Sequence, residues 1–554
     1  MKVSDPSRVA GRQGFTYTLP VCPNRDAVRG PVTESSAQTQ PLGQAPRRMI
    51  NVVAFTGGFV SIGLELTASR LIAPYFGSST FIWANLIGVT LAFLSLGYFL
   101  GGRFADRHPH VQRLYAILGA AGIAIALVPL VSRPILRVSL DGLEDRDAGA
   151  FLGSLFATLL LFAPAMTLLG MIAPFAIRLR LVSVADAGRE AGGLYALSTA
   201  GSILGGFVPV LVLTPWIGTR FTILVLAAIL VVMSIIGLVS SRVWRTSAAV
   251  ALPAMAALAI SLAGVDDRIK PPYRGELVAE FESDNNYVQV LRDGGRTLLA
   301  LNEGQAIHSI YDPSRLATGG PWDYFLLGPY LAGEAPPESA MIVGLAGGTT
   351  ARQLDAAFPA IALDGVEVDP VVAEVAEDYF GITDELIDVR VADGRYALKT
   401  TDETYDLICI DAYRQPYVPF HLATTEFFGE VADRLGPSGV VAINAGRTST
   451  DFRLVEALGS TMSVVFDTVV VVDVDRYTNS LIFATNAPTS LDTFLARLAS
   501  VGDIPVVDET AALALDTGRA RIAATDGPVL TDDHAPIEWI VDQILVDEAL
   551  REEP

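Results

Sequence analysis

Long apolar runs fill the first half of this chain and constrain its fold more than any other feature. A helix that crosses a lipid bilayer needs about 20 mostly apolar residues, because its backbone polar groups find partners only within the segment. Such stretches occur near residues 50–74, 80–101, 114–132, 150–177, 193–216, 219–240 and 247–264. The sequence therefore predicts a membrane domain of about seven transmembrane helices over residues 49–265. Residues 1–48 are polar and rich in Pro, Ser, Gln and Arg, which is typical of a disordered tail.

Charge and cysteine content exclude several classes of site. The chain carries 39 Lys and Arg against 60 Asp and Glu, a formal net charge of −21. Phosphate binding needs Lys and Arg surfaces, so we expect no nucleic-acid partner. The two cysteines, Cys22 and Cys409, lie far apart in the sequence, and the five histidines lack the spacing of metal ligands. We therefore predict no metal site.

Two ionisable residues lie inside the first apolar run, Glu65 and Arg70 in "GLELTASRLIAPYFG". Charged side chains are costly in a membrane, so residues of this kind are candidates for function. Their separation along the chain lets them share a helical face only poorly. A structural ion pair, an Arg70 that reaches the membrane interface, and a role in transport or substrate binding all stay open.

The pattern changes after about residue 270. Residues 278–335 alternate polar and apolar side chains around the turn signal "RDGG", which predicts a small antiparallel β-sheet domain. From Ser339 onward, apolar strands alternate with helical stretches, as in a parallel doubly wound sheet. We therefore predict a Rossmann-like α/β domain over residues 336–554, following the helical membrane domain and the small sheet.

The stretch "MIVGLAGGTTARQLDAAFP" reads as a strand, a glycine turn and a helix. Gly344, Gly347 and Gly348 allow the backbone to approach a ligand without Cβ clashes. Glu367 ends the next strand, where a carboxylate can accept hydrogen bonds from ribose hydroxyls. The glycine spacing differs from G-x-G-x-x-G and no Walker lysine follows, which argues against a dinucleotide and a triphosphate.

The third and fourth strands end in further acids. Asp393 and Gly394 lie in "VADGRYAL", where the carboxylate can receive an adenine amino group, and Asp411 ends "YDLICID". Ligands of open α/β sheets bind at the carboxyl ends of the strands. Four ligand-facing features at four successive strand ends therefore predict a nucleoside-binding site.

These motifs resemble the S-adenosylmethionine-dependent transferase fold and, more narrowly, the membrane-fused spermidine synthase-like (polyamine aminopropyltransferase) family. The resemblance covers roughly residues 280–539. It rests on "IVGLAGGTTARQL", "VEVDP", "ADGRYAL", "YDLICIDAY…PFHLATTEFF", "NNYVQV" and the closing "LTDDHAPIEW", with "LELTASRLIAPYFGSS" in the first half.

The resemblance implies transfer of an aminopropyl group from decarboxylated S-adenosylmethionine to a small-molecule amine. Asp411 would act as the catalytic base, Glu367 would hold the ribose and Asp393 with Gly394 the adenine. The glycine loop of Gly344, Gly347 and Gly348 would complete the cofactor site, while Tyr324 and Arg414 would contact the acceptor. The resemblance also implies a lipid bilayer as partner and is compatible with a homodimer.

The sequence departs from the family pattern on the acceptor side. The family's loop acid corresponds to Gly347, its second catalytic Asp to Arg414, and its polar pair after Tyr324 to Phe325 and Leu326. A guanidinium at close range repels an ammonium group. Two alternatives therefore stay open: an S-adenosylmethionine-dependent methyltransferase acting on a membrane-associated substrate, and a non-catalytic transporter or sensor that binds a polyamine or nucleoside.

The orientation of the chain in the membrane poses a conflict. With seven spans, one side carries the arginines at positions 47, 48, 103, 107, 113, 178, 180, 189, 242 and 245. The positive-inside rule assigns that side to the cytoplasm, which leaves the second half outside. S-adenosyl donors are cytoplasmic, and on that ground we expect the second half in the cytoplasm.

Overall fold

The computed structural model describes residues 47–76, 80–141, 149–181, 183–264, 269–283, 285–302, 306–413, 417–516 and 518–551. All of them belong to one compact unit, Gln44–Pro554. The predicted tail over residues 1–48 therefore lies almost wholly outside the described residues. The predicted boundaries of the domains stay predictions.

The first half is helical and apolar. Its helices are α1 (Arg47–Phe76), α2 (Thr80–Arg107), α3 (Val111–Asp141), α4 (Gly149–Arg180), α5 (Ala187–Val208), which continues into a π-helical segment (Pro209–Leu213), α6 (Thr214–Ser240) and α7 (Trp244–Gly264). Glycines allow α1 and α5 to pack with their backbones in contact. A Cβ added at Gly58 would lie 2.0 Å from the carbonyl oxygen of Ser198, and one at Gly201 equally close to that of Phe55. Small residues of this kind permit the close helix packing that is common in membranes.

Six helices in the described ranges are long and apolar enough to cross a bilayer, against the seven expected. The difference lies in one helix, Ala187–Ser240, which runs for 54 residues. Gly218 within it has non-helical angles, φ 77° and ψ 164°. Side chains of Pro209 and Leu226, on either side of this break, both approach the same Gly63 of α1. The chain therefore folds back at Gly218, and the number of membrane crossings stays a prediction.

A four-stranded antiparallel sheet follows, in the order β1-β2-β3-β4. Its strands are β1 (Glu276–Glu282), β2 (Tyr287–Asp293), β3 (Arg296–Leu301) and β4 (Ile307–Tyr311). Gly294 and Gly295 form the β2–β3 turn with positive φ angles of 59° and 87°, a conformation that glycine adopts without a Cβ clash. Val288 and Leu299 pack this sheet against Phe380 of the following α/β domain.

The second sheet has eight strands in the order β12-β10-β11-β9-β8-β5-β6-β7. Its strands are β5 (Ser339–Val343), β6 (Ala362–Glu367), β7 (Asp388–Val391), β8 (Tyr405–Ile410), β9 (Leu435–Gly446), β10 (Thr468–Asp473), β11 (Asn479–Thr485) and β12 (Ala520–Ile522). The helices around it are α8 (Pro321–Phe325), α9 (Pro329–Ala332), α10 (Thr349–Ala357), α11 (Pro370–Phe380), α12 (Gly394–Thr400), α13 (Thr425–Ala432), α14 (Arg453–Met462), α15 (Leu491–Ala499), α16 (Val507–Ala514) and α17 (Ile537–Arg551). This arrangement confirms the predicted fold class, an apolar helical half followed by a Rossmann-like half.

The sheet topology brings the predicted site residues to one edge. Strands β9, β8, β5, β6 and β7 are mutually parallel, so their carboxyl ends lie on the same side. The strand order reverses between β5 and β8, and a crevice opens at such a reversal point in doubly wound sheets. The backbone N–H of Asp411, just after β8, donates to the carbonyl of Val343 at the end of β5.

Candidate nucleoside and catalytic site

The glycine loop after β5 depends on glycine at two positions. Gly344 has a φ of +93°, and a Cβ there would lie 2.5 Å from the carbonyl oxygen of Asp411. Gly348 has a φ of +70° and is the N-cap of α10, and a Cβ there would lie 2.2 Å from Cδ1 of Ile382. Only glycine fits both the backbone angles and the available space. The loop therefore passes close to the backbone of Asp411.

Glu367 links this loop to the next strand. Its Oε2 accepts from the backbone N–H of Ala346 at 3.0 Å, and its Oε1 accepts from that of Asp369 at 3.1 Å. Burial raises the pKa of Glu367 although these two N–H groups favour the ionised form. A carboxylate oxygen has two acceptor lone pairs, so each oxygen can still receive a ribose hydroxyl.

Asp393 caps helix α12. Its Oδ1 accepts from the backbone N–H of Tyr396 at 3.0 Å, and its Oδ2 lies 2.9 Å from Nε2 of His421. Burial acts to raise the pKa of Asp393, but the hydrogen bonds from Tyr396 and His421 outweigh it and leave that pKa below its usual range. A Cβ at Gly394 would lie 2.4 Å from Val343, so glycine lets α12 begin close to β5. Asp393 is thus an ionised acceptor at the strand edge.

Asp411 has a different environment from the other two acids. Asn444 donates from Nδ2 to Oδ1 of Asp411 at 2.9 Å, and the side chain of Trp322 forms a second hydrogen bond to the carboxylate. Burial nevertheless raises the pKa of Asp411 to about 6. A carboxylate that exchanges its proton near neutral pH is suited to general acid–base chemistry.

No protein-family model matches the chain. The "Probable polyamine aminopropyl transferase" of Bifidobacterium longum is 33% identical over 297 residues, which cover 49% of this chain and 65% of that protein. The "Polyamine aminopropyltransferase" of Vibrio vulnificus is 38% identical over 117 residues, 20% of this chain and 39% of that protein. The chain is thus similar to polyamine aminopropyltransferases. The chain spans less than two thirds of the length of either relative.

Solved structures also match part of the chain. A probable spermidine synthase from Corynebacterium glutamicum matches with a TM-score of 0.35 and 19% identity, covering 45% of this chain and 96% of that one. Human methyltransferase-like protein 13 in complex with SAH matches with a TM-score of 0.29 and 24% identity, covering 34% of this chain and 89% of that one.

Several residues that contact the predicted site residues were not identified from the sequence. Oδ1 of Asn444 accepts from Nδ2 of Asn479 at 3.0 Å, which orients the Nδ2 of Asn444 toward Asp411. Tyr413 donates its hydroxyl to the carbonyl of Asn444, and burial together with the charge of Asp411 raises the pKa of Tyr413. Asn444 lies near the carboxyl end of β9, beside β8, so the strand-end rule that selected Asp411 would also have selected Asn444. His421 lies in "PFHLATTEFF", and the residues around it give no indication that it contacts Asp393.

Gly347 lies in the glycine loop, at the position where the family that the sequence resembles has an acid. Its N–H donates to Oγ of Ser309 on β4 at 2.8 Å. A Cβ at Gly347 would lie 2.8 Å from that of Ser309 and 2.9 Å from the ring of Phe380. Ser309 of the small sheet and Phe380 of α11 therefore occupy the space that a carboxylate side chain would need.

The two predicted acceptor-binding residues stay predictions. Tyr324 is 1% exposed, and its hydroxyl oxygen accepts from the backbone N–H of Asp475 at 3.0 Å. Its neighbour Trp322, rather than Tyr324, contacts Asp411. Arg414 lies outside the described residues.

Proposed function

We propose that this protein is a membrane-bound aminopropyltransferase-like enzyme. It transfers the aminopropyl group of decarboxylated S-adenosylmethionine to an amine acceptor. The observation that carries the proposal is the buried carboxylate of Asp411, with a pKa of about 6, held by Asn444 and Trp322 at the strand edge that also presents Glu367 and Asp393. The names of the two curated relatives support the same chemistry.

The donor supplies a carbon that its sulfonium group activates toward displacement. The acceptor nitrogen forms a bond to that carbon, the carbon–sulfur bond breaks, and its electron pair stays on sulfur as a neutral thioether. Asp411 accepts the proton that the nitrogen loses. Because Asn444 and Trp322 bind its carboxylate from fixed positions, Asp411 is oriented before the acceptor arrives.

The remaining acids bind the nucleoside. Glu367, held by the N–H groups of Ala346 and Asp369, accepts from the ribose hydroxyls. Asp393 accepts from the adenine amino group, with His421 against its other oxygen. These carboxylates accept hydrogen bonds, which suits the hydroxyl and amino groups of a nucleoside and disfavours a phosphate. Among the described residues, no group of three or more His, Cys, Asp or Glu side chains could hold a metal ion, and the proposed chemistry needs none.

The packed Gly347 favours a second candidate, a methyltransferase that uses S-adenosylmethionine on a membrane-associated substrate. Ser309 and Phe380 leave no room at Gly347 for the acidic side chain that would bind a polyamine. The "eEF1A lysine and N-terminal methyltransferase" of Xenopus laevis is 28% identical over 156 residues, 26% of this chain and 22% of that protein. A third candidate, a sensor that binds without turnover, predicts that substitution of Asp411 leaves the protein's activity intact.

A product assay on the purified full-length protein separates these candidates. S-adenosylmethionine and its decarboxylated form are supplied separately, each with a polyamine mixture, and the released nucleoside is identified by mass spectrometry. Methylthioadenosine formed only from the decarboxylated donor, and lost in Asp411→Asn, supports the proposal. S-adenosylhomocysteine supports the methyltransferase, and nucleoside binding without any product contradicts both enzymes.

The proposal requires the C-terminal half to face the cytoplasm, where the donor is found. The described arginines lie at both ends of the helices. Arg178 and Arg180 pair with Asp106 and Glu190 at one end of the helices, whereas the C-terminal half contacts the end that carries Arg70. Labelling of single cysteines introduced at exposed sites of both ends, in intact cells, with a membrane-impermeant maleimide decides the orientation. A labelled C-terminal half would contradict the enzyme proposal.

A homodimer stays a prediction.

A further inference from the structure

Arg70, near the end of helix α1, contacts the small sheet of the second half. Its Nη1 donates to the carbonyl oxygen of Ser283, the residue directly after β1, at 3.1 Å. The sequence alone leaves the role of this intramembrane-type charge open. One of its partners is thus a backbone carbonyl at the base of the β1–β2 turn, so Arg70 links the helical half to that turn.

Packing does not fix the β1–β2 turn on every side. A cavity of about 240 Å³ borders it, and the lining includes Ser283 and Asn286 of the turn, Arg70 of α1, and Ile82 and Leu86 of α2. Atoms that line a void lose packing contacts on the side that faces it. Hydrogen bonds therefore matter more than packing for the position of this turn.

Two side chains of the turn bind the same oxygen of Asp369. The hydroxyl of Ser283 donates to Oδ2, and Nδ2 of Asn286 donates to the same atom at 2.8 Å. Asp369 is fully buried, and its Oδ1 accepts from the N–H of Val371 at 3.0 Å. Because a buried carboxylate is costly when it loses a hydrogen-bond donor, the position of Asp369 depends on the position of the turn.

Asp369 in turn holds the carboxylate that is proposed to bind the ribose. Its backbone N–H donates to Oε1 of Glu367 at 3.1 Å, while the N–H of Ala346 in the glycine loop donates to Oε2 at 3.0 Å. The N–H of Asp369 therefore fixes one of the two oxygens of Glu367. We call this series of contacts the junction network, which consists of Arg70, Ser283, Asn286, Asp369 and Glu367.

We propose that Arg70 is a positioning residue of the nucleoside site. By holding the carbonyl of Ser283, it fixes the turn that binds Asp369, and it thereby keeps Glu367 in place for the ribose hydroxyls. Arg70 acts through the turn and not by contact with the nucleoside. The inference rests on the proposed function in one respect, that Glu367 binds the ribose. The helical half is then part of the donor site, because donor affinity depends on a residue that it supplies.

The affinity for methylthioadenosine tests this role, measured by isothermal titration of the full-length protein in phosphatidylcholine nanodiscs. Arg70→Met removes the N–H donors and keeps an unbranched side chain; we expect it to weaken binding at least about fivefold. Ser283→Ala removes the hydroxyl that binds Asp369, keeps the carbonyl that binds Arg70, and should weaken binding by a similar factor. Wild-type affinity in folded Arg70→Met would overturn the proposal. If Arg70→Met does not fold, wild-type affinity in Ser283→Ala would overturn it.

Arg220 provides a matched control at the same junction. Its Nη2 donates to the carbonyl oxygen of Ile269 at 2.9 Å, a contact of the same kind as that of Arg70. Ile269 lies in the segment before β1 and is not a member of the junction network. Arg220→Met should therefore change the methylthioadenosine affinity less than about twofold. Equal losses in Arg220→Met and Arg70→Met would indicate a general loosening of the junction and would overturn the specific role of Arg70.

A double-mutant cycle tests whether Arg70 acts through Glu367. In the Glu367→Gln background the ribose contact is already weakened, so Arg70→Met should reduce the methylthioadenosine affinity less than about twofold further. The same fold loss in the wild-type and Glu367→Gln backgrounds would show that Arg70 acts independently of Glu367, and the proposed network would fail.

Turnover separates this inference from the proposed function. With decarboxylated S-adenosylmethionine, Arg70→Met should raise KM for the donor more than it lowers kcat, because Asp411 lies outside the junction network. A lower kcat with an unchanged KM would contradict the positioning role. Methylthioadenosine binding that Arg70→Met weakens, in a protein that transfers no aminopropyl group, would support this inference and contradict the proposed function. Absence of methylthioadenosine binding by the wild type would contradict both.

Discussion

Asn444 binds Asp411 and Asn479 at the same time, each through one end of its amide. Its Nδ2 donates to Asp411 at 2.9 Å, while its Oδ1 accepts from Nδ2 of Asn479 at 3.0 Å. An amide with both ends engaged cannot rotate without losing a hydrogen bond. Asn444 therefore holds Asp411 in one orientation and favours its ionised form.

The rate of transfer should depend on the ionisation of Asp411. Because burial raises its pKa to about 6, we expect kcat/KM for the donor to fall below about pH 6 as the carboxylate gains a proton. Asn444 lowers that pKa, so Asn444→Ala should move the acid limb to higher pH. The check is a pH profile of both proteins, with Asn486→Ala as a distant control. An acid limb that stays in place or moves to lower pH in Asn444→Ala would contradict this role.

Asp411→Asn should abolish transfer and stabilise the fold at neutral pH. The pKa of Asp411 is higher in the folded protein than in the unfolded chain. Its contribution to the free energy of unfolding is therefore fully present below about pH 4 and is lost as the pH rises through about 6. At pH 7.5 removal of the charge should raise the free energy of unfolding by about 2 kcal/mol. Thermal unfolding at pH 4.5 and 7.5 measures this, and the gain should be smaller at pH 4.5. A lower stability of Asp411→Asn at pH 7.5 would contradict the claim that burial disfavours the ionised carboxylate of Asp411.

Glu367→Gln should weaken nucleoside binding about 10- to 100-fold, since hydrogen bonds to a charged acceptor contribute about 1.5–3 kcal/mol. The amide keeps the size of the side chain but turns one acceptor into a donor. Isothermal titration with methylthioadenosine provides the measurement. Asp388→Asn, at the opposite, amino end of a neighbouring strand, is the matched control and should bind as the wild type does. Similar losses in both variants would point to a general effect on the fold.

Gly347→Asp should destabilise the protein and fail to create a polyamine site. The new Cβ would overlap with Ser309 and Phe380, and overpacking of this kind costs about 1–3 kcal/mol. The expected result is a lower midpoint of thermal unfolding with no gain in putrescine or spermidine affinity. Gly429→Asp, on a helix with nothing within 4 Å of its new Cβ, should leave the midpoint nearly unchanged. A stable Gly347→Asp with tighter polyamine binding would show that the site is open.

Gly218→Ala should destabilise the helical half by about 1–3 kcal/mol, because φ 77° with ψ 164° is a conformation that only glycine adopts readily. The control is Gly206→Ala, a helical position where the new Cβ meets only side-chain atoms at 3.8 Å or beyond. The midpoint of thermal unfolding in detergent compares the two. If both variants unfold like the wild type, then the chain does not need a glycine to fold back here.

Local sequence pattern determined most of the architecture. Apolar runs of bilayer length predicted the helices, because in an apolar environment the backbone N–H and C=O groups must form their hydrogen bonds within the segment itself. The alternation of strands and helices placed Gly344, Glu367, Asp393 and Asp411 at one edge, because parallel strands necessarily bring their carboxyl ends together. The sequence predicted two spans, 193–216 and 219–240, and the fold-back at Gly218 lies in the gap between them. By length and composition alone, residues 187–240 count as a single long helix.

Tertiary structure decided the environment of each of those residues. Asn444 contacts Asp411 from the neighbouring strand β9. Trp322 contacts it from α8, which precedes the glycine loop in the sequence. Arg70 meets Ser283 across 213 residues, which turns an isolated charge in an apolar run into one wall of a cavity. Contacts at such separations depend on how whole elements pack. The sequence by itself therefore determined which groups reach the strand edge, whereas only the packed fold decided their partners, their burial and hence their pKa values.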